Sequence, residues 1–272
     1  MKSEKLKKGV YIIPSLFTCA NISCGFLSII SSINGYFTKA AWLVVFAIIF
    51  DIIDGRIARF TKTTSEFGIQ LDSLSDMLSF GVAPSIIMYQ LVLNSMGKLG
   101  ISVAVFFVLC SALRLAKFNT ATSKRSLVIN ASFMGLPTPA SAGFLISFVL
   151  SYELFITNSE QQSLTFKTIP ILMKNMPIFF SLMPIMMVIL SLLEVSNIPY
   201  LSFKKVKLFK PKIFRFLVLL VSLILLIIAF PQNIIFILFV LYVFSGIFGI
   251  GMKYYRIIKK KINFKFGENN GD

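Results

Sequence analysis

Apolar and polar positions fall in long alternating blocks along this chain. Windows of about 20 mostly apolar residues, enough for a helix to cross a roughly 30 Å hydrocarbon layer, recur at residues 14–33, 40–58, 73–96, 99–118, 133–155, 175–194, 213–231 and 233–250. This pattern predicts an all-α, polytopic integral membrane protein with eight spans. The first run has the charged start and apolar body of a signal peptide. No convincing small-x-small cleavage site closes it before further spans follow, so it is expected to be a retained helix. The expected organisation is an N-terminal tail or interfacial segment (1–13), a membrane core with a cytoplasmic-facing site (14–194), a basic connector (195–212), two C-terminal spans (213–250) and a basic tail (251–272).

Composition agrees with the blocks. Of the 272 residues 56% are hydrophobic and only 14% charged, whereas a soluble domain devotes about a quarter of its residues to charge. The formal net charge of +16 would suit a nucleic-acid partner if the lysines lay on a polar domain. They lie instead in short clusters between the apolar runs, which marks them as topology signals. One side of the expected bilayer receives 23 of the 27 basic residues, the other only Lys39, Lys98, Lys167 and Lys174. Both ends and residues 51–76 are therefore expected on the cytoplasmic side, in the inner or plasma membrane of a prokaryotic cell. Cys19, Cys24 and Cys110 have neither zinc-ligand nor disulfide spacing, and histidine is absent. Acid–base or metal chemistry thus falls to Asp, Glu, Lys or Tyr.

The stretch DIIDGRIARFTKTTSEFGIQLDSLSD, residues 51–76, breaks the apolar pattern with five of the chain's eleven acidic residues. A lone Asp near the middle of a membrane helix costs about 2.5–3.5 kcal/mol on insertion scales, so four aspartates need compensation. Asp51 and Asp54, three apart, share one side of a helix continuing the second span. Asp72 and Asp76, four apart, share a side of the next. FTKTTSEFG between them is expected to reverse the chain at the membrane surface, with Glu66 an ordinary solvated charge in that turn. Carboxylate oxygens brought together in this way suit a hard divalent ion such as Mg²⁺ or Mn²⁺. Gly55 and Ala58 leave room for a diphosphate to approach, and Arg59 offers it a charge-assisted donor.

Asp51, Asp54, Gly55, Ala58, Arg59, Gly68, Asp72 and Asp76 match the D-x2-D-G-x2-A-R-x8-G-x3-D-x3-D signature at every fixed position. The chain thereby resembles the CDP-alcohol phosphatidyltransferases. The resemblance implies a six-helix membrane core, here with about two extra C-terminal transmembrane helices, and transfer of a phosphatidyl group from a CDP-linked lipid to an alcohol with release of CMP. It implies Asp51, Asp54, Asp72 and Asp76 as ligands of two metal ions, and Asp76 also as the base for the acceptor hydroxyl. Asp54, Gly55, Ala58 and Arg59 would line the CDP pocket, and family members are often dimeric.

The stretches RLAKFN and FMGLPTPASAG, with the opening PSLFTCANISCGFLSI, are similar to the phosphatidylserine synthase branch. Serine needs a donor for its carboxylate, and Arg114 and Asn119, with Arg125 as a helper, are the candidates on the cytoplasmic side. The clustered Arg114, Lys117, Lys124 and Arg125 would also suit glycerol 3-phosphate or an inositol phosphate. A donor with ether-linked chains is equally compatible with the motif. A cation-coupled transporter would spread its carboxylates over several helices near the bilayer midplane. Here they are confined to one hairpin at the edge.

Overall fold

A computed structural model describes residues 2–61, 65–123, 135–161, 170–198 and 229–246, together with Tyr200 and a few single positions from 218 to 226. Side chains are described from residue 15 onward. Among the described residues every regular element is helical: α1 (Lys2–Ile33), α2 (Phe37–Thr61), α3 (Glu66–Asp76), α4 (Ala83–Leu91), α5 (Lys98–Ser123), α6 (Thr138–Gln161) and α7 (Pro170–Val195), then α8 (Pro231–Gly246). Segments Ser15–Ile33, Lys98–Thr120, Thr138–Ile156 and Pro177–Val195 are long and apolar enough to cross a membrane. The fold is all-α and membrane-associated, with its exposed apolar side chains, such as Leu109, Leu113, Ile185 and Leu192, suited to lipid contact.

α1 and α2 form a hairpin closed at Gly35, and α3 with α4 packs against α1. Gly25 allows the close approach, since a Cβ there would collide with Ser79 Oγ and lie 2.9 Å from Ser79 Cα. The Ser79 hydroxyl, freed to reach α1, donates to the Asn21 carbonyl at 3.0 Å. α5 lies against α4 and α7, and α6 against α2 and α7. Phe80, Phe107 and Phe148 are fully buried among these helices.

α3 and α4 are one rod interrupted by a π-helical turn, Met77–Val82. The Ala83 N–H bonds to the Leu78 carbonyl, five residues back. Pro84 explains the widening: it has no N–H for the carbonyl four residues earlier, and its ring crowds that carbonyl. Such turns are frequent at functional sites, and this one begins directly after Asp76.

Several boundaries differ from those expected. The third helix begins at Glu66 rather than near 73 because Ser65 caps it, accepting from the Gly68 N–H at 3.0 Å. Glu66 consequently stands exposed in the first helical turn rather than in a loop. The fifth apolar run becomes helical at Thr138, not 133. Gly135 (φ +86°) turns the chain there, and the N–H groups of Gly135 and Leu136 bond at 2.9 Å to the carbonyls of Ile198, just past α7, and Leu193 in its last turn. Most of the 195–212 connector and of the 213–231 span, and the whole 251–272 tail, lie outside the described residues.

Candidate active site

The last turns of α2 and the whole of α3 carry the aspartates. Asp51, Asp72 and Asp76 each offer a carboxylate oxygen within 4.8 Å of the others. Three like charges in this space repel unless protons or cations intervene. Burial pushes the Asp72 carboxyl up from its ordinary value. Asp76 Oδ1 is buried with no hydrogen-bond partner, which makes it an acceptor left for a ligand. Oxygen-only ligands, convergence and this orphaned atom together fit one divalent cation.

Asp54 stands apart from that group. It is only 3% exposed and its Oδ2 accepts from Thr18 Oγ1 at 3.0 Å, although it still feels the charges of Asp72 and Asp76. The Thr18 carbonyl in turn lies 3.4 Å from Ser75 Oγ on α3. Thr18 of α1 thus ties α2 to α3 beside the cluster. Gly55 and Ala58 are half-buried on the next turn of α2. The Arg59 side chain and all of Arg125 lie outside the described residues.

α5 carries two of the residues expected to contact the acceptor, Arg114 and Asn119, and packs its end against α3. Asn119 Nδ2 donates to Ser73 Oγ at 2.8 Å, which fastens the end of α5 to the residue after Asp72. Arg114 Nη1 donates to Thr138 Oγ1 at 2.9 Å, while its Nε is buried with no hydrogen-bond partner. The guanidinium lies within electrostatic reach of Asp76 and Asp51, and also of Glu194 and Tyr242. An orphaned donor on Arg114 and an orphaned acceptor on Asp76 therefore share one neighbourhood.

Glu194 was not among the residues the sequence singled out. It is 1% exposed at the end of α7 and accepts from Ser111 Oγ at 2.7 Å and from Ser141 Oγ. An acid closing the run MPIMMVILSLLEV was a signal that could have flagged it. Its neighbours, 53 and 83 residues away in sequence, could not be read from spacing. Thr18 and Thr138 carried no comparable signal.

A helical, membrane-associated protein with a carboxylate cluster at the junction of two helices fits the class of enzymes that work on a substrate with a divalent cation. The CDP-alcohol phosphatidyltransferase family model matches residues 11–250, and this chain belongs to that family. It is 39% identical over 218 residues to the CDP-diacylglycerol–serine O-phosphatidyltransferase of Helicobacter pylori, covering 79% of this chain and 82% of that protein. The enzyme of the same name from Methanocaldococcus jannaschii is 40% identical over 133 residues (49% of this chain, 61% of that one). An archaetidylserine synthase from Methanothermobacter thermautotrophicus is 38% identical over 153 residues (56% and 63%).

Proposed function

We propose that this chain transfers a phosphatidyl group from CDP-diacylglycerol to the hydroxyl of L-serine, giving phosphatidylserine and CMP. The observation that carries the reading is the convergence of Asp51, Asp72 and Asp76 within electrostatic reach of Arg114, in a chain whose relatives bear that activity in their names. Asp51, Asp54, Asp72 and Asp76 would hold two Mg²⁺ or Mn²⁺ ions, with Asp54 swinging from Thr18 or serving through it. Bound there, the cations would neutralise charge developing on the transferred phosphoryl group and on CMP.

The chain's own groups do the remainder. Gly55 and Ala58 leave space for the diphosphate, and Arg59 supplies a donor to its oxygens. Arg114 offers its free Nε–H to the serine carboxylate. Asn119 braces α5 against α3, so that its amide lies at the rim of the acceptor site, with Arg125 as a further contact. Asp76 takes the serine hydroxyl proton as the oxygen attacks phosphorus, and CMP leaves in line. This direct displacement needs no enzyme nucleophile and no covalent intermediate. The site faces the cytoplasm with both chain ends on the same side, so a reporter placed after Asp272 should lie inside and one near Asn158 outside. Finding the two together would break this topology. A homodimer is in keeping with the family.

The test is a side-by-side acceptor assay on the purified chain, with CDP-diacylglycerol and Mg²⁺ and a radiolabelled acceptor in each arm. L-Serine should enter lipid, with glycerol 3-phosphate and inositol phosphate poor acceptors; an ether-linked CDP-lipid arm reads tail preference. Labelled lipid from a phosphorylated polyol and none from serine would overturn the acceptor, leaving the transferase chemistry. No CMP in any arm would overturn the enzyme reading.

A further inference from the structure

Glu194 is a buried acid with no place in the signature. Its partners have a pattern. Ser111, which donates to Glu194 at 2.7 Å, lies one turn before Arg114 on α5. Ser141, which also donates to it, lies one turn beyond Thr138 on α6, and Thr138 is the residue that holds Arg114 at 2.9 Å. One carboxylate on α7 therefore fixes the two helices that aim the guanidinium. The backbone bonds from Gly135 and Leu136 to the end of α7 and just past it lock the same junction. Glu194, Asp76 and Asp51 all lie within electrostatic reach of Arg114, and Glu194 is held there by hydroxyls of α5 and α6.

Competition among these carboxylates for one guanidinium has a chemical consequence. An arginine drawn fully onto Asp76 would occupy the orphaned oxygen needed for ligand and would use its own free Nε–H in doing so. A fixed negative charge on the α7 side, immobilised by two hydroxyls rather than free to swing, keeps the guanidinium available. Neutralising that charge leaves Arg114 to the aspartates.

We propose that Glu194 is a positioning residue for the acceptor: through the Ser111–Ser141 clamp and its attraction for Arg114, it holds that guanidinium ready for the carboxylate of an amino-acid acceptor. The inference rests on the serine reading above. It assigns Glu194 no contact with the CDP-lipid and no proton transfer.

The test uses serine-dependent CMP release by the purified full chain in mixed micelles with CDP-diacylglycerol and Mg²⁺, for wild type, Glu194→Gln, Arg114→Ala and the double variant. Glu194→Gln should raise the KM for serine by about tenfold or more, with the KM for CDP-diacylglycerol little changed. In the Arg114→Ala background the same substitution should add almost nothing to the serine KM, because its effect passes through Arg114. Ser111→Ala, which keeps the carboxylate and removes one donor, should give a smaller rise in the same constant. It keeps the proposal testable should Glu194→Gln fail to accumulate in the membrane. An unchanged serine KM, an equal rise for both substrates, or full additivity in the double variant would each overturn the role. A wild type that uses no serine would overturn the acceptor reading and this inference with it. A wild type that uses serine beside variants with unaltered KM overturns the inference alone.

Discussion

At the junction of α2 and α3 three carboxylates converge and one oxygen of Asp76 is buried without a partner. At the junction of α5, α6 and α7 the equally buried Glu194 has two hydroxyls donating to it, and Arg114 has Thr138. Both regions place charge where burial is costly, and they treat it oppositely. The Glu194 carboxylate is satisfied internally by those two hydroxyls, as a buried ionic group must be if it is to hold a shape, while Arg114 keeps its Nε–H open. In the aspartate cluster Asp76 Oδ1 has no such donor, which leaves an acceptor for a ligand that the chain does not supply. The satisfied carboxylate marks the group that positions, and the open atoms of Asp76 and Arg114 mark the groups that bind and react.

The strongest way to break this contrast is at Asp76. Asp76→Asn keeps the size but cannot accept a proton at neutral pH, so turnover should fall by about 10²–10⁴-fold, with CDP-lipid binding less affected. Near-normal turnover in that variant would remove Asp76 from the reacting region. Arg114 stands between the two regions and should respond more moderately. Arg114→Ala should depress serine use by some tens-fold, and Arg114→Lys should restore part of it because the paired donors are lost. Saturating serine should recover much of the rate in either case; failure to do so would place Arg114 in the chemical step rather than in binding.

A third substitution probes the α6–α7 junction alone. Gly135 has φ +86° and its Cβ position is blocked by the Glu194 carbonyl, with the Ser196 carbonyl at 3.0 Å. Gly135→Ala should cost about 1–3 kcal/mol, read as a lower midpoint of thermal unfolding in detergent; an unchanged midpoint would show that the α6–α7 lock is dispensable. The smallest expected effect concerns pH. Burial raises the Asp72 carboxyl, so protons compete for it at less acidic pH than for an ordinary carboxylate. The Mg²⁺ concentration for half-maximal activity should therefore rise as pH is lowered from mildly alkaline to mildly acidic, with excess Mg²⁺ restoring the rate. A metal requirement independent of pH across that range would contradict the assignment of Asp72.

The two regions also differ in how far the sequence reveals them. Asp72 and Asp76 were readable as a pair because helical periodicity carries spacing into geometry, Asp51 joins them where the two helices of the expected hairpin meet, and the family resemblance they supported is borne out by the match over residues 11–250. The all-α, apolar-helix architecture followed equally from the blocks. Glu194, Ser111, Ser141 and Thr138 meet only after α5, α6 and α7 have packed, and no local pattern encodes that meeting. The π-helical turn after Asp76 was invisible for a related reason. Pro84 announces a disturbance, but whether the rod kinks, ends or widens is settled by the packing of α3 and α4 against their neighbours. Asp54 shows the limit from the other side: its place in the motif was plain, yet its hydrogen bond to Thr18 required the α1–α2 hairpin.

The account rests on the aspartate cluster being completed by divalent cation for transfer from a CDP-linked lipid to serine. The most direct measurement strips the purified enzyme with chelator, adds back Mg²⁺ or Mn²⁺ in steps, and quantifies CMP and phosphatidylserine together in wild type and in Asp51→Asn and Asp72→Asn. The predicted result is no product without metal, equimolar CMP and phosphatidylserine once it is restored, and a metal requirement raised at least about tenfold in both variants. Full turnover in the presence of chelator, or CMP released without matching lipid product, would contradict it.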